Sequence, residues 1–386
     1  MPGVYEVQVV GYQNKRNKLQ KTINNELIDL GIGGSVQVRL VKKPGSGLKP
    51  SLVLFFGGKN MKNIKDKDND PVNSQLQRAL KQGLVVIPIV DDLGQINTQI
   101  PAEAAKFNGF EWSGKNPAKE LAHIVLGQLG IEERDRRVFI SHRRRDGLAA
   151  AEQLHDALTH HAFKPFIDRF SIQPGEAVQE VIADVLEDFA FLLLLETPEA
   201  HNSSWVYDEV DYALAHAMGI LILQWPGKPK QIPGSAGLPR LTLKQSDIVK
   251  DGHGYDIFTP SAIKTIIDEI EDAQACAIVR RRKLLLRGIQ ESARDAGASC
   301  VPLKDWALDI TGATKKHSIV CVTPRLPTCE DLQHLDIIRD KIDGKASAQL
   351  VHAARHLSDS RADHLIWVTL GKRLEFFSEN EIGGKW

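Results

Sequence analysis

Cysteine is scarce in this chain: four in 386 residues, Cys276, Cys300, Cys321 and Cys329, all in the last third. None forms a CxxC pair, and so few in so long a chain exclude a disulfide scaffold. Such open spacing also offers no zinc site, so no metal is expected and the thiols read as buried and reduced. An excess of one charge is absent too. The 49 Lys and Arg balance 49 Asp and Glu, which removes the basic surplus usual in proteins that bind nucleic acid or membrane. Long apolar runs are missing: the longest, Phe189 to Leu195, falls far short of the roughly 20 residues needed to cross a bilayer. The opening MPGVYEVQVVGYQ has no charged stretch followed by an apolar one, so no signal peptide is expected. No GxGxxG or Walker A pattern occurs anywhere. These absences argue for a soluble, cytoplasmic protein without membrane contact, and against nucleic acid as a partner.

What is present is ordinary globular material, 42% hydrophobic and 25% charged. At roughly 100–200 residues per domain, the length implies two to four domains. The first segment, 1–125, alternates strands and helices. Val4 to Val10 and Ser35 to Val41 read as strands, the latter with clear period-two alternation, and Arg16 to Leu30 has helical spacing. Leu52-Val53-Leu54-Phe55-Phe56 is apolar on both faces, as a central parallel strand must be when helices cover both sides of its sheet. After the polar run Lys62 to Asp70 come a helix near Val72 to Gln82 and a strand from Leu84 to Val90. Gly57-Gly58 after a strand is weak as phosphate-loop evidence.

The middle segment, 134–245, repeats the order: strand Val138 to Ile140, helix Leu148 to His160, strand Lys164 to Asp168, and helix Ala177 to Glu187. The doubly buried strand Phe189 to Leu195, the helix Trp205 to Ala217 and the strand Ile220 to Leu223 complete it. PVNSQLQRALKQGLVVIPIV (Pro71 to Val90) parallels WVYDEVDYALAHAMGILILQ (Trp205 to Gln224), so the first segment reads as a degenerate copy of the second. The last segment, 255–386, is again α/β. It opens on a helical stretch, Ser261 to Leu286, with the cluster Arg280-Arg281-Arg282-Lys283, expected as a solvated or subunit-facing surface. Strands are expected at Ser299 to Pro302, Ser318 to Val322 and Leu365 to Leu370, and helices at Leu332 to Lys341 and Ala346 to His356. The fold class is therefore α/β: a doubly wound first segment, a middle segment that repeats its order, and a further α/β segment.

Three motifs of the middle segment stand out. Val138-Phe139-Ile140-Ser141-His142-Arg143-Arg144-Arg145-Asp146 is a strand with a polar exit. Phe166-Ile167-Asp168-Arg169-Phe170-Ser171-Ile172-Gln173-Pro174-Gly175-Glu176 is a second strand and the loop beyond it. Asn202-Ser203-Ser204-Trp205-Val206-Tyr207-Asp208-Glu209-Val210 starts a helix. In this order they resemble the bacterial form of the TIR domain, the Toll/interleukin-1 receptor and resistance protein family, with its flavodoxin-like parallel sheet. The resemblance covers Arg137 to about Leu243, and the loop Phe170 to Gly175 resembles the family's BB loop.

The resemblance implies one of two roles: an adaptor that assembles complexes, or an enzyme that cleaves NAD at the nicotinamide–ribose bond. In the enzymatic branch the essential residue carries over to Glu209, and the protein would act in defence against phage, assembled into an oligomer or filament by an unknown phage-derived or nucleotide trigger. NAD would be the substrate, with no cofactor, and the product free ADP-ribose or a cyclised form. Helical spacing sets Glu209 on one stripe with Trp205, Tyr212 and His216, at the rim of the helix. Val206, Val210, Leu214 and Ala217 form the adjacent stripe expected to pack on the sheet. Ser203 and Ser204 read as N-caps, with Ser204 also a candidate ribose contact. Ser141, Arg143, Arg144, Asp168 and Arg169 follow strands where an α/β sheet binds its ligands. An arginine there would meet the NAD pyrophosphate; alternatively the arginine run is solvated or pairs with Asp146. In the first segment Gln75 stands where Glu209 stands in the second, so that copy would be catalytically dead, and the flanking segments would restrain, sense a nucleotide signal or assemble.

Overall fold

The computed structural model describes residues 3–12, 14–34, 36–43, 52–58, 71–82, 84–107, 109–131, 136–167, 186–303, 306–312 and 316–386. The chain divides into two compact units, Met1–Glu133 and Arg134–Trp386.

The first unit holds one parallel sheet of β1 (Gly3–Gly11), β2 (Val36–Val41), β3 (Leu52–Phe56), β4 (Val85–Val90) and β5 (Phe110–Glu111), in the order β2-β1-β3-β4-β5. Its helices are α1 (Arg16–Asp29), α2 (Pro71–Lys81), α3 (Ile96–Gln99) and α4 (Pro117–Gln128). All five residues of β3 are buried, and β2, at the sheet edge, alternates buried and open positions, as a central and an edge strand should. Gly57 and Gly58 serve packing. A Cβ on Gly58 would lie 2.3 Å from the Tyr12 ring and one on Gly57 2.8 Å from the Gln99 carbonyl. Their N–H groups donate to the carbonyls of Ile89 and Gln99, so neither is free for a phosphate.

The second unit holds two five-stranded sheets. The first is built from β6 (Arg137–Ser141), α5 (Arg144–His160), β7 (Lys164–Ile167), β8 (Phe191–Glu196), α6 (Ser204–Ala215), β9 (Gly219–Gln224) and β10 (Arg240–Thr242). Its order, β10-β9-β8-β6-β7 with every pair parallel, is that of the first unit read from the other edge. This is the flavodoxin-like 2-1-3-4-5 arrangement. The weak sequence likeness between Pro71–Val90 and Trp205–Gln224 thus falls on topologically equivalent helix–strand pairs. Leu76 and Ala79 are buried on α2 as Val210 and Ala213 are on α6, whereas Gln75 is exposed and Glu209 buried.

A hairpin of β11 (Ile248–Lys250) and β12 (Asp256–Phe258) leads into α7 (Pro260–Asp295), 36 residues long, or about 54 Å. The last sheet comprises β13 (Ser299–Pro302), β14 (Ala307–Thr311), β15 (His317–Thr323), β16 (Ser347–His352) and β17 (Leu374–Ser378), in that order, with α8 (Cys329–Asp343) and α9 (Asp359–Thr369) as crossovers. β15, β16 and β17 are parallel. Helix α7 serves two cores. Its first turns, through Ala262, Ile266, Ile267 and Ile270, join α5 on one face of the β6–β10 sheet; its later turns, through Val279, Leu285, Ile289 and Ala293, cover one face of the last sheet. Helices α8 and α9 cover the opposite face of that last sheet.

Three expectations are corrected here. Ala346 to His356, expected as a helix, contains β16, and Leu365 to Leu370, expected as a strand, is the end of α9. Short apolar runs do not separate the two states by periodicity. β16 is buried from Ala348 onward as a central strand, whereas on α9 Leu365 is buried while Trp367 and Leu370 are 73% and 75% exposed. The basic cluster is not one solvated surface: Arg280 and Lys283 are exposed, but Arg281 pairs with Glu379 and Arg282 is buried against Trp306. Among the described residues no helix is long and apolar enough to cross a membrane.

Candidate active site

In a doubly wound sheet the ligand crevice opens beyond the strand carboxyl ends, where the chain order reverses. In the β6–β10 sheet that point lies between β6, the first strand, and β8. β6 ends on Ser141, fully buried, and β8 runs on into Thr197, also fully buried. Neither hydroxyl has a hydrogen-bond partner among the described residues. The first turn of α5 closes against both strand exits, because Gly147 has no side chain: a Cβ there would lie 3.3 Å from His142 Cβ and 3.5 Å from Thr197 Cγ2.

Charged groups tie the two exits together. Arg143, in extended conformation at the N-cap of α5, reaches Glu199 at 3.4 Å and Asp146 at 3.9 Å. The Glu199 N–H donates to Asp146 at 3.0 Å, and Asn202 donates to the Glu199 carboxylate at 2.7 Å. Of the sequence's two alternatives for the arginine run, pairing with Asp146 is the one seen for Arg143. Arg144 opens α5 and is half-buried; Arg145 is exposed. Below the rim, Glu196 is fully buried and accepts from Gln224 at 2.9 Å and Arg240 at 3.1 Å, a second fixed carboxylate at the end of β8.

Helix α6 carries Glu209. Ser203 is its N-cap and accepts the Val206 N–H at 3.4 Å, while Ser204 is its first helical residue and exposed. The expected core stripe is corrected by one position. Val206, Val210 and Ala213 are buried in the cluster with β8 and β9, but Leu214 is 37% exposed, and Ala217 lies past the helix end with φ of 50°. At 100° per residue, position 213 returns to the azimuth of 206, and 214 swings about 80° away. Glu209 is only 7% exposed, so it is buried rather than at a rim. Trp205 is half-buried. The Tyr212 ring packs on His216 with centroids 4.2 Å apart, and His216 Nδ1 lies 2.7 Å from the Ala354 carbonyl oxygen, so this end of the stripe faces the last sheet.

The strand exits gather Ser141, Arg143 and Arg144; Ser204, Trp205, Glu209 and Tyr212 share α6. Asp168, Arg169 and the loop Phe170 to Gly175 lie outside the described residues. Thr197, Glu199 and Glu196 belong to no motif in the sequence. Their only local signal is that they follow an apolar strand; their relevance depends on β8 lying beside β6.

Residues 138–252 match the family model of the TIR domain. This segment, whose strands form the parallel β6–β10 sheet, is a TIR domain, and the α/β elements around it flank that domain. No curated protein matches the chain.

Proposed function

We propose that the TIR domain of this protein cleaves NAD at the nicotinamide–ribose bond, with Glu209 as the essential carboxylate. The observation that carries this reading is Glu209 itself, a carboxylate held at 7% exposure on α6 within the TIR match; the resemblance of the surrounding motif carries the essential carboxylate of NAD-cleaving members over to it. The positively charged nicotinamide ring leaves as neutral nicotinamide, so no general acid has to protonate it. The C–N bond breaks with its electron pair going to nicotinamide, and positive charge develops on the ribose as an oxocarbenium ion. A carboxylate in a site of low dielectric stabilises that charge and orients the ribose hydroxyls. The cation is then captured by water, giving ADP-ribose, or by a nucleophilic atom of the same molecule, giving a cyclic product; water access decides between them. The Ser141 and Thr197 hydroxyls and the Arg143 and Arg144 cations at the β6/β8 exits suit the sugar and pyrophosphate. Self-association is common among TIR domains, and we place this activity in an assembled state, in defence against phage.

A second reading, a non-enzymatic TIR adaptor, is favoured by one observation: Arg143 is already engaged by Glu199 and Asp146. One experiment separates the two. Purified protein at high concentration, with and without a crowding agent, is incubated with NAD, and NAD and nicotinamide are followed by chromatography. Glu209→Gln is expected to slow NAD loss by about 100- to 1,000-fold, the usual cost of removing a transition-state charge stabiliser. NAD loss at the wild-type rate in that variant would remove Glu209 from the mechanism. NAD left intact by the wild type in its assembled state would make the chain an adaptor.

A further inference from the structure

The turn that leads into β8, residues 186–189, is gripped from the last sheet. Arg355, seven per cent exposed in the loop after β16, donates through Nη1 to the carbonyls of Leu186 at 3.2 Å, Glu187 at 2.9 Å and Phe189. Arg361, at the start of α9, forms a bidentate pair with Asp188 at 2.6 and 3.1 Å. The Leu326 N–H donates to the Glu187 carbonyl at 3.4 Å. A second grip lies just past α6, where His216 bonds the Ala354 carbonyl at 2.7 Å. Burial pulls the Arg355 pKa down to about 10, which leaves it charged at neutral pH. Among the described residues its hydrogen-bond partners are backbone carbonyls, Pro324 O being the fourth.

Both grips act on one piece of core. Leu186 and Phe189 pack in the same buried cluster as Val206, Val210 and Ala213, the inner face of the Glu209 helix. The contacts therefore hold the turn beneath α6 and the end of α6 together, in an arrangement where Glu209 is covered. A carboxylate at 7% exposure has to be uncovered before a ribose can reach it. Close-packed clusters of this kind have discrete arrangements rather than a continuous range, so a restraint at one end is felt at the other.

We propose that the loops at the carboxyl ends of β15 and β16, with the start of α9, form an intramolecular clamp that holds the Glu209 helix in a covered, resting position, and that freeing residues 186–189 and His216 switches the site on. This rests on the NAD-cleaving reading for its output, but not for the clamp itself. Arg355→Ala would leave buried carbonyls unpaired and threaten folding, so the test uses the pair Arg361–Asp188, each side chain 31% exposed. In the full chain, Asp188→Arg and the charge swap Asp188→Arg/Arg361→Asp are compared with wild type by amide exchange over residues 191–216 and by NAD loss. Asp188→Arg is expected to speed exchange in α6 and to raise basal NAD loss by at least about fivefold, the lower end of usual coupling strengths; the swap is expected to return both to the wild-type level. The clamp is overturned if exchange in α6 is unchanged by Asp188→Arg, or if exchange rises while NAD loss falls. If exchange rises and the swap reverses it while no form consumes NAD, the clamp stands and the proposed reaction falls.

Discussion

His317 sits between two carboxylates, Asp343 at 2.9 Å from Nδ1 and Asp309 at 2.8 Å from Nε2. The Asp343 hydrogen bond raises the imidazole pKa most, burial opposes it, and the Asp309 hydrogen bond adds to the rise. Asp343 is lowered, first by the Lys345 N–H and then by His317. A raised histidine pKa means that the added stability is complete below the ordinary imidazole value and is lost as pH rises through the folded value. A lowered carboxylate pKa means that stability is present above the ordinary carboxylate value and is lost on acidification. The cluster therefore works best in mildly acidic solution. His317→Gln should lower the thermal midpoint most there, with the difference from wild type shrinking as pH is raised through the neutral range. A difference that grows toward alkaline pH would contradict this assignment. At this scale the sequence offered a candidate where a motif surrounded the residue, as for Glu209. It was silent on Glu199 and Thr197, whose contacts across the strand exits, with Arg143, Asp146 and Gly147, span 50 or more positions, and on His317, which bonds across a strand pair and to the end of α8.

Helix α7 depends on two contacts that no local pattern announces. Arg136, at the foot of β6 and fully buried, pairs with Glu271 at 2.6 and 2.8 Å and lies 3.9 Å over the Phe163 ring. Removing one member of such a pair strands the other charge, so Glu271→Ala should cost about 3–5 kcal/mol in a denaturant titration, and a hydrophobic replacement of both partners much less. The second contact is Gly219 at the start of β9, where a Cβ would lie 2.3 Å from Ala277 Cβ and 2.8 Å from the Phe191 ring. Gly219→Ala should destabilise by about 1–3 kcal/mol through overpacking; an unchanged denaturation midpoint would show that α7 shifts away at no cost. The elements themselves were mostly legible. β3 and β8 announced themselves as strands buried on both faces, β9 as a short apolar strand, and α1 and α6 by helical spacing. β16 and α9 were exchanged because each offers only a short apolar run. The start of α9 at Ser358 and Asp359 has helix-start chemistry that the following Leu-Ile-Trp-Val run obscured.

At the scale of the whole molecule, two sheets of the same order recur in separate units, and only one carries a carboxylate at the Glu209 position. If assembly completes the site, the rate of NAD loss per protomer should climb with protein concentration, in step with the assembled fraction seen by sedimentation. A specific rate constant across a dilution series would mean that a single chain suffices. The balance of 49 basic and 49 acidic side chains is spent partly in pairs within the second unit: Arg136–Glu271, Arg240–Glu196, Arg325–Asp331 and Arg361–Asp188.

The sequence alone determined the α/β class and the alternation of strand and helix, because these are written in near-neighbour spacing and side-chain type; its three motifs in order carried the resemblance to the TIR family, and that resemblance supplied the candidate carboxylate. Tertiary structure decided that α7 finishes one core and begins another, and that Arg143 is already paired. It also decided that Glu209 is covered and that Arg355 holds a turn 166 positions before it in sequence. Those outcomes depend on which strands lie side by side and which buried donors find acceptors, a choice made by packing and by the cost of leaving polar groups unpaired. No run of consecutive residues records that choice.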